Sequence, residues 1–156
     1  MRTKEYNLLL KKLDKNSPVP YELLLSADPS KELVDEYLPT SDVFIVIQQK
    51  ETVGVIVLFP LTIDTVEIKN VAVKAALQGQ GIGSFLIENA IQAAQQKAIK
   101  SMIIGTANSS TSQLYLYQKL GFELMEIKKI SLLTTMLNLF LRMVSKQNIC
   151  WFWRKY

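Results

Sequence analysis

Three glycines spaced two apart, Gly79, Gly81 and Gly83, sit in the run Val71-Ala-Val-Lys-Ala-Ala-Leu-Gln-Gly-Gln-Gly-Ile-Gly-Ser84. An apolar strand-like stretch passes through a short loop into an amphipathic stretch opening at Ile82, so the pattern predicts strand, loop, helix. Glycine lets backbone come close to a ligand and adopt positive φ. The first amides of a helix have no partner inside it and carry about half a positive charge between them. Such a loop suits a diphosphate. A dinucleotide fingerprint would need glycine where Ser84 stands, with an acidic residue about 20 positions on, and neither is present. No Gly-Lys-Ser/Thr exists for a P-loop. Taken alone, the glycines also fit a tight turn with no ligand.

The spacing Gln78-x-x-Gly81-x-Gly83 resembles the acyl-coenzyme A signature Gln/Arg-x-x-Gly-x-Gly/Ala of the GNAT superfamily of N-acetyltransferases. Asn108-Ser-Ser-Thr-Ser-Gln-Leu-Tyr-Leu-Tyr-Gln-Lys-Leu-Gly-Phe122 is similar to that family's second signature, a helix ending in Tyr-x-Lys-x-Gly-Phe. The two are separated by one helix and one strand and with their flanks cover residues 66–122. The resemblance implies acetyl-coenzyme A as cofactor, with no metal, and a primary amine of a small molecule or peptide as acceptor. It implies that the backbone of Val71, Ala72 and Val73 meets the pantetheine arm and the acetyl group. Gln78, Gly79, Gln80, Gly81, Ile82, Gly83 and Ser84 would hold the pyrophosphate, mainly through main-chain amides. Asn108 and Ser110 would line the pantetheine or thioester side, although many members carry Asn where Ser110 stands. Tyr117 would protonate the departing thiolate. Glu67 matches the position at which histone-modifying members place their catalytic base.

These residue types suit acyl transfer. A thiol of pKa about 8.5 and a tyrosine of about 10 leave proton transfer uphill by only ~2 kcal/mol. The other reading of Tyr117 is a packed helix aromatic, as expected for Tyr115 beside it. Strand alternation would put Glu67, Lys69, Val71 and Val73 on one face. Glu67 reads equally well as a surface carboxylate paired with Lys69. A lysine acceptor (pKa about 10.4) costs about 4.6 kcal/mol to deprotonate at pH 7, an α-amine (about 7.8) only ~1 kcal/mol. Without a tuned base, low-pKa amines or a water shuttle are favoured.

The elements needed to position these groups are legible in the periodicity. Tyr6–Leu13 reads as a strand or a helix, and 20–27 and 30–38 as short helices, the second capped by Ser30 and stopped by Pro39. Strands follow at 43–47, 53–61 and 66–73, with a turn at Lys50-Glu51. A long helix spans 82–98, then come a strand at 102–107, a helix at 112–120 closed by Gly121, and a strand at 122–127. The expected class is α/β (α+β), a mixed and largely antiparallel central sheet flanked by helices.

Composition limits the rest. The chain has 156 residues, 49% of them hydrophobic, which is one domain with a real core. With no histidine and one cysteine, disulfide frameworks, zinc knuckles and Ser-His or Cys-His hydrolases are excluded. The net charge of +4 lies wholly in residues 130–156, which carry Arg142, Lys146, Arg154 and Lys155 and no acid, so it is no nucleic-acid signal. The longest uncharged stretch there, Ile130–Leu141, has 12 residues, against about 20 for a membrane span. A cytoplasmic location is the expectation.

Residues 1–129 are therefore expected to form the acetyltransferase domain and 130–156 an atypical basic, aromatic tail. GNAT domains normally close with a further strand that walls the acceptor site, and this tail does not look like one. Leu133, Met136, Leu137, Phe140 and Val144 fall at helical spacing, so a helix is expected, offering an apolar face for a homodimer. Back-translated from Lys129 and read from each third base, the tail permits a string with Asp-Phe-Phe, His-Tyr and Glu-Asn-Gly-Ile segments. That string resembles the ending of close GNAT relatives. Loss of one A from the codons of Lys128-Lys129 would produce the tail, which is thus read as a frameshift product; a divergent native tail is the alternative. Two other functions stay open: a coenzyme A-binding protein crippled by loss of the closing strand, and a non-enzymatic interaction module using the basic tail.

Overall fold

The computed structural model describes residues 7–107, 111–129 and 149–155. Its elements run β1 (Leu9–Lys12), α1 (Tyr21–Ala27), α2 (Lys31–Tyr37), β2 (Asp42–Gln48), β3 (Glu51–Pro60), β4 (Thr65–Val73), α3 (Ile82–Gln96), β5 (Ser101–Ala107), α4 (Thr111–Lys119), β6 (Glu123–Lys129) and β7 (Ile149–Lys155). Single 3-10 turns at Leu38–Thr40 and Ala75–Leu77 complete the order. The seven strands form one sheet in the order β1-β2-β3-β4-β5-β7-β6. Every neighbouring pair is antiparallel except β4 and β5. The chain is thus the mixed, largely antiparallel α/β fold that the pattern implied.

Two apolar layers sandwich the sheet. On one face Leu86, Ile87 and Ala90 of α3 pack on Val53, Ile56, Leu58, Val66, Ile68 and Ile104, with Tyr117 and Phe122 in the same cluster. On the other, Leu23 and Leu24 of α1 and Val34 and Tyr37 of α2 cover Val43, Ile45, Val55, Val57 and Ala72. Ser30 caps α2, its Oγ accepting the Leu33 amide at 3.3 Å. The β2–β3 turn falls one residue earlier than expected, at Gln49 and Lys50, both with positive φ. That is the backbone twist a two-residue hairpin needs.

A register shift in β4 decides what faces the site. Val57 pairs with Asn70 but Leu58 pairs with Ile68, leaving Lys69 as the extra residue of a bulge. Simple alternation therefore fails. Glu67 lies opposite Phe59, on the α1/α2 face, and Asn70 and Ala72 share that face. Val71 and Val73 pack toward α3 instead. The expectation that Glu67, Lys69, Val71 and Val73 line one face is corrected: one inserted residue flips everything beyond it.

The C-terminal expectation is corrected as well. A closing strand is present: β7 lies between β5 and β6, with Gly105 opposite Phe152 and Ile127 opposite Trp151. Ile149-Cys-Trp-Phe-Trp153 is rich in β-branched and aromatic residues, which favour a pleated strand over solvent. The expected helix over 133–144, with the homodimer face assigned to it, lies outside the described residues.

Candidate active site

The parting of β4 from β5 creates the opening in this fold. Their parallel pairing runs from Thr65–Ser101 to Ile68–Ile104 and stops there. Beyond it β4 stays on β3 as far as Val73, while β5 pairs with β7. On its β5 side the backbone of Lys69–Val73 therefore has no strand partner among the described residues. The bulge at Lys69 sits at this fork. Buried backbone polar groups do not remain unpaired without reason, so an extended ligand that hydrogen-bonds like a strand fits here.

Past Val73 the chain makes its 3-10 turn and enters α3 through the glycine loop. Gly79 has φ +74° and Gly81 φ +87°, the left-handed region that side chains avoid. Gly81 is the N-cap of α3 and supplies no side-chain acceptor. The Phe85 amide bonds to the Gly81 carbonyl at 3.0 Å, so the amides of Ile82, Gly83 and Ser84 before it have no acceptor within the helix. No acidic side chain occupies the first turn of α3. The helix positive end is thereby left for an outside anion. Among the described residues a Cβ on Gly79 or Gly81 would meet nothing within 4 Å. Ile82 turns its side chain into the core and contributes only its amide. Gln78 and Gln80 fold back, their Nε2 groups donating to the Val73 carbonyl (3.1 Å) and the Ala76 carbonyl (3.4 Å). They brace the loop rather than reach out from it. These features fit a diphosphate followed by an extended arm, which is the shape of coenzyme A.

Tyr117 and Glu67 fall on opposite faces of the sheet. Tyr117 is 2% exposed, its ring tilted 56° to Phe122 at 6.1 Å between centroids. Burial pushes its hydroxyl up to about 12. Glu67 is partly buried and pairs with Lys69 at 3.0 Å, so the ion pair weighed from sequence exists. Tyr115, expected to pack, is 69% exposed. Helical spacing turns Tyr117 inward and leaves its neighbour at 115 outside. Asn108 and Ser110 lie outside the described residues. Among the described residues no cluster of carboxylates or cysteine could hold a metal ion, and no helix is long and apolar enough to cross a membrane.

Residues 39–124 match the model of the acetyltransferase (GNAT) domain. The chain is also 47% identical over 107 residues to the uncharacterized N-acetyltransferase YvbK of Bacillus subtilis, covering 69% of each chain. It belongs to the GNAT acetyltransferases. Among solved structures, a GNAT family acetyltransferase from Elizabethkingia anophelis with acetyl-CoA bound superposes with a TM-score of 0.83 at 38% identity, over 95% of this chain and 97% of that one. The Bacillus subtilis acetyltransferase in complex with CoA gives 0.80 at 35% identity, over 94% and 97%. The protein is accordingly an acetyl-CoA-dependent acyltransferase.

Sequence reasoning missed one polar pair in this GNAT domain. Asn70 is 4% exposed within an otherwise apolar face, and its Nδ2 donates to the Leu24 carbonyl at 2.9 Å and to the Tyr37 hydroxyl at 3.1 Å. The signal was an asparagine at a position where strand patterning calls for an apolar residue.

Proposed function

We propose that the chain moves the acetyl group of acetyl-CoA to a primary amine of a small molecule or peptide, with Tyr117 as general acid and Glu67 as general base. The observation that carries this reading is the β4–β5 fork opening beside the uncapped start of α3. The backbone of Val71, Ala72 and Val73, the loop Gln78–Ser84 and, outside the described residues, Asn108 and Ser110 would hold the cofactor. When bound, it supplies an activated acetyl group and a thiol leaving group.

The protein's part is to hold and move two protons. Burial keeps Tyr117 protonated at neutral pH, and its Oη would deliver that proton to the leaving sulfur. With the hydroxyl at about 12 and a thiol at about 8.5, this transfer is uphill by about 5 kcal/mol. It remains well inside the ~16 kcal/mol barrier of an enzyme turning over at about 10 per second. Glu67 would take a proton from the amine on the other face, and its contact with Lys69 has to loosen for it to do so.

The alternative of a cofactor-binding protein without turnover rested on a missing closing strand, and β7 removes that reason. A frameshift origin of 130–156 is kept as a proposal that rests on the string the shifted frame permits; a locus without an oligo-A length difference from its relatives would end it. The test of function is calorimetry with acetyl-CoA followed by thiol release with a panel of amines and peptides. Saturable binding with amine-dependent thiol release is expected. Binding with no release for any amine would refute the amine reading, and a failure to bind would also disqualify the glycine loop.

A further inference from the structure

Asn70 stands at the fork, on β4 two positions past the last residue pair with β5 and on the face covered by α1 and α2. Both protons of its amide are engaged, one by the Leu24 carbonyl and one by the Tyr37 hydroxyl. This fixes the amide's orientation, since the reverse would set Oδ1 against the Leu24 carbonyl oxygen. Oδ1 is enclosed and has no hydrogen-bond partner among the described residues. Its neighbours on that face, Val55, Val57 and Ala72, are apolar. The two donated bonds account for the amide nitrogen, but a buried acceptor left unpaired is destabilising. The fold thus explains the nitrogen of this side chain but not its oxygen, and a ligand does.

We propose that Asn70 is an acceptor-binding residue: its Oδ1 accepts a hydrogen bond from an N–H of the incoming amine, while its Nδ2 holds the α1 and α2 wall to β4. This rests on the amine reading above and names the side of the sheet from which the amine comes. It enters from the α1/α2 face, the face of Glu67, and reaches Oδ1 by displacing the apolar side chains that enclose it. With one N–H held by Oδ1, the nitrogen's second N–H is left for the base and its lone pair for the acetyl carbon. A tertiary amine has no N–H to offer and would be refused. Tyr37 acts as the partner of Nδ2, its hydroxyl oxygen accepting from that amide.

The test compares Asn70→Leu and Tyr37→Phe with the parent enzyme, using n-butylamine, glycinamide and an alanine-terminated peptide as acceptors, with acetyl-CoA affinity and thermal midpoint measured in parallel. For Asn70→Leu the amine KM should rise by about 5- to 150-fold, the equivalent of about 1–3 kcal/mol. Its acetyl-CoA affinity should stay within twofold, while its midpoint should fall by a few degrees because the Leu24 carbonyl and the Tyr37 hydroxyl lose a donor. Tyr37→Phe, which keeps Oδ1, should leave the amine KM within about threefold. Equal KM losses in the two variants would overturn the assignment of Oδ1, because anchoring of the wall would then account for both. So would an Asn70→Leu enzyme with unchanged amine KM, or one that loses stability and acetyl-CoA affinity together. A parent enzyme that binds acetyl-CoA yet acetylates none of the three would bring down the amine reading and this one with it.

Discussion

Gly81→Ala and Gly83→Ala should act in opposite directions, although the two glycines are two residues apart in one motif. Gly81 has φ +87° and an added Cβ there would meet nothing within 4 Å. No clash prevents folding, so the penalty is the backbone strain of alanine in a left-handed conformation, about 1–2 kcal/mol. For a chain of this length each kcal/mol moves the melting midpoint by about 2–4 °C, giving a loss of about 2–8 °C. Gly83 is different. It lies inside the first turn of α3 without positive φ, and its added Cβ would sit 3.9 Å from Leu116, an ordinary contact. Alanine there gains up to about 1 kcal/mol through lower unfolded-state entropy and better helix propensity. Relaxation of the strained Gly81 variant would also turn the amides of Ile82, Gly83 and Ser84 out of line, so its acetyl-CoA affinity should fall at least tenfold. Gly83→Ala should bind within about threefold of the parent. Thermal melts and calorimetric titration of both variants are the measurements. If Gly81→Ala melts with the parent, or Gly83→Ala proves the more damaging, main-chain geometry is not what this loop supplies.

Tyr117→Phe should lower kcat by about 10²–10⁴ with acetyl-CoA affinity retained; an unchanged kcat in steady-state thiol release would remove the general-acid role. Glu67→Gln should depress the low-pH limb of the kcat/KM profile for lysine-type amines more than for α-amines, whose pKa demands less of a base. Truncation after Ile127 would take away β7, the strand with which β6 pairs and the outer neighbour of β5, so lower yield and a lower midpoint are expected from expression and melting of the shortened chain. Asp42 is partly desolvated, which raises its pKa, yet hydrogen bonds from Lys12 at 2.6 Å and from Lys97 together outweigh this and hold the carboxyl below its usual range. A depressed native pKa means its contribution is complete above the unfolded value of 3.8 and is lost as pH falls through the native one. Melts taken between about pH 5 and pH 2 should therefore show a shallower acid slope for Asp42→Asn than for the parent.

Local chemistry was written along the chain. The apolar runs of β2 and β3, the Ser30 cap and the apolar stripe of α3 each depend on near neighbours along the chain, so they were readable without coordinates. The same holds for the glycine loop: left-handed φ at positions 79 and 81 is what glycine is for, and the helix that follows it has no side-chain cap. What pairing decided was not local. The extra residue at Lys69 is defined only by what β3 places opposite it, and it moved Glu67 away from the face of Val71 and Val73. Tail residues 149–155 read as leftover composition until two strands with unpaired edges offered them hydrogen bonds on both sides. Asn70 looked like a blemish in an apolar strand until Leu24 and Tyr37, 46 and 33 residues away along the chain, took up its two protons and left its oxygen alone. Sequence carries the propensities of single elements, whereas register, edge pairing and the satisfaction of a buried polar atom exist only between elements that tertiary structure has brought together.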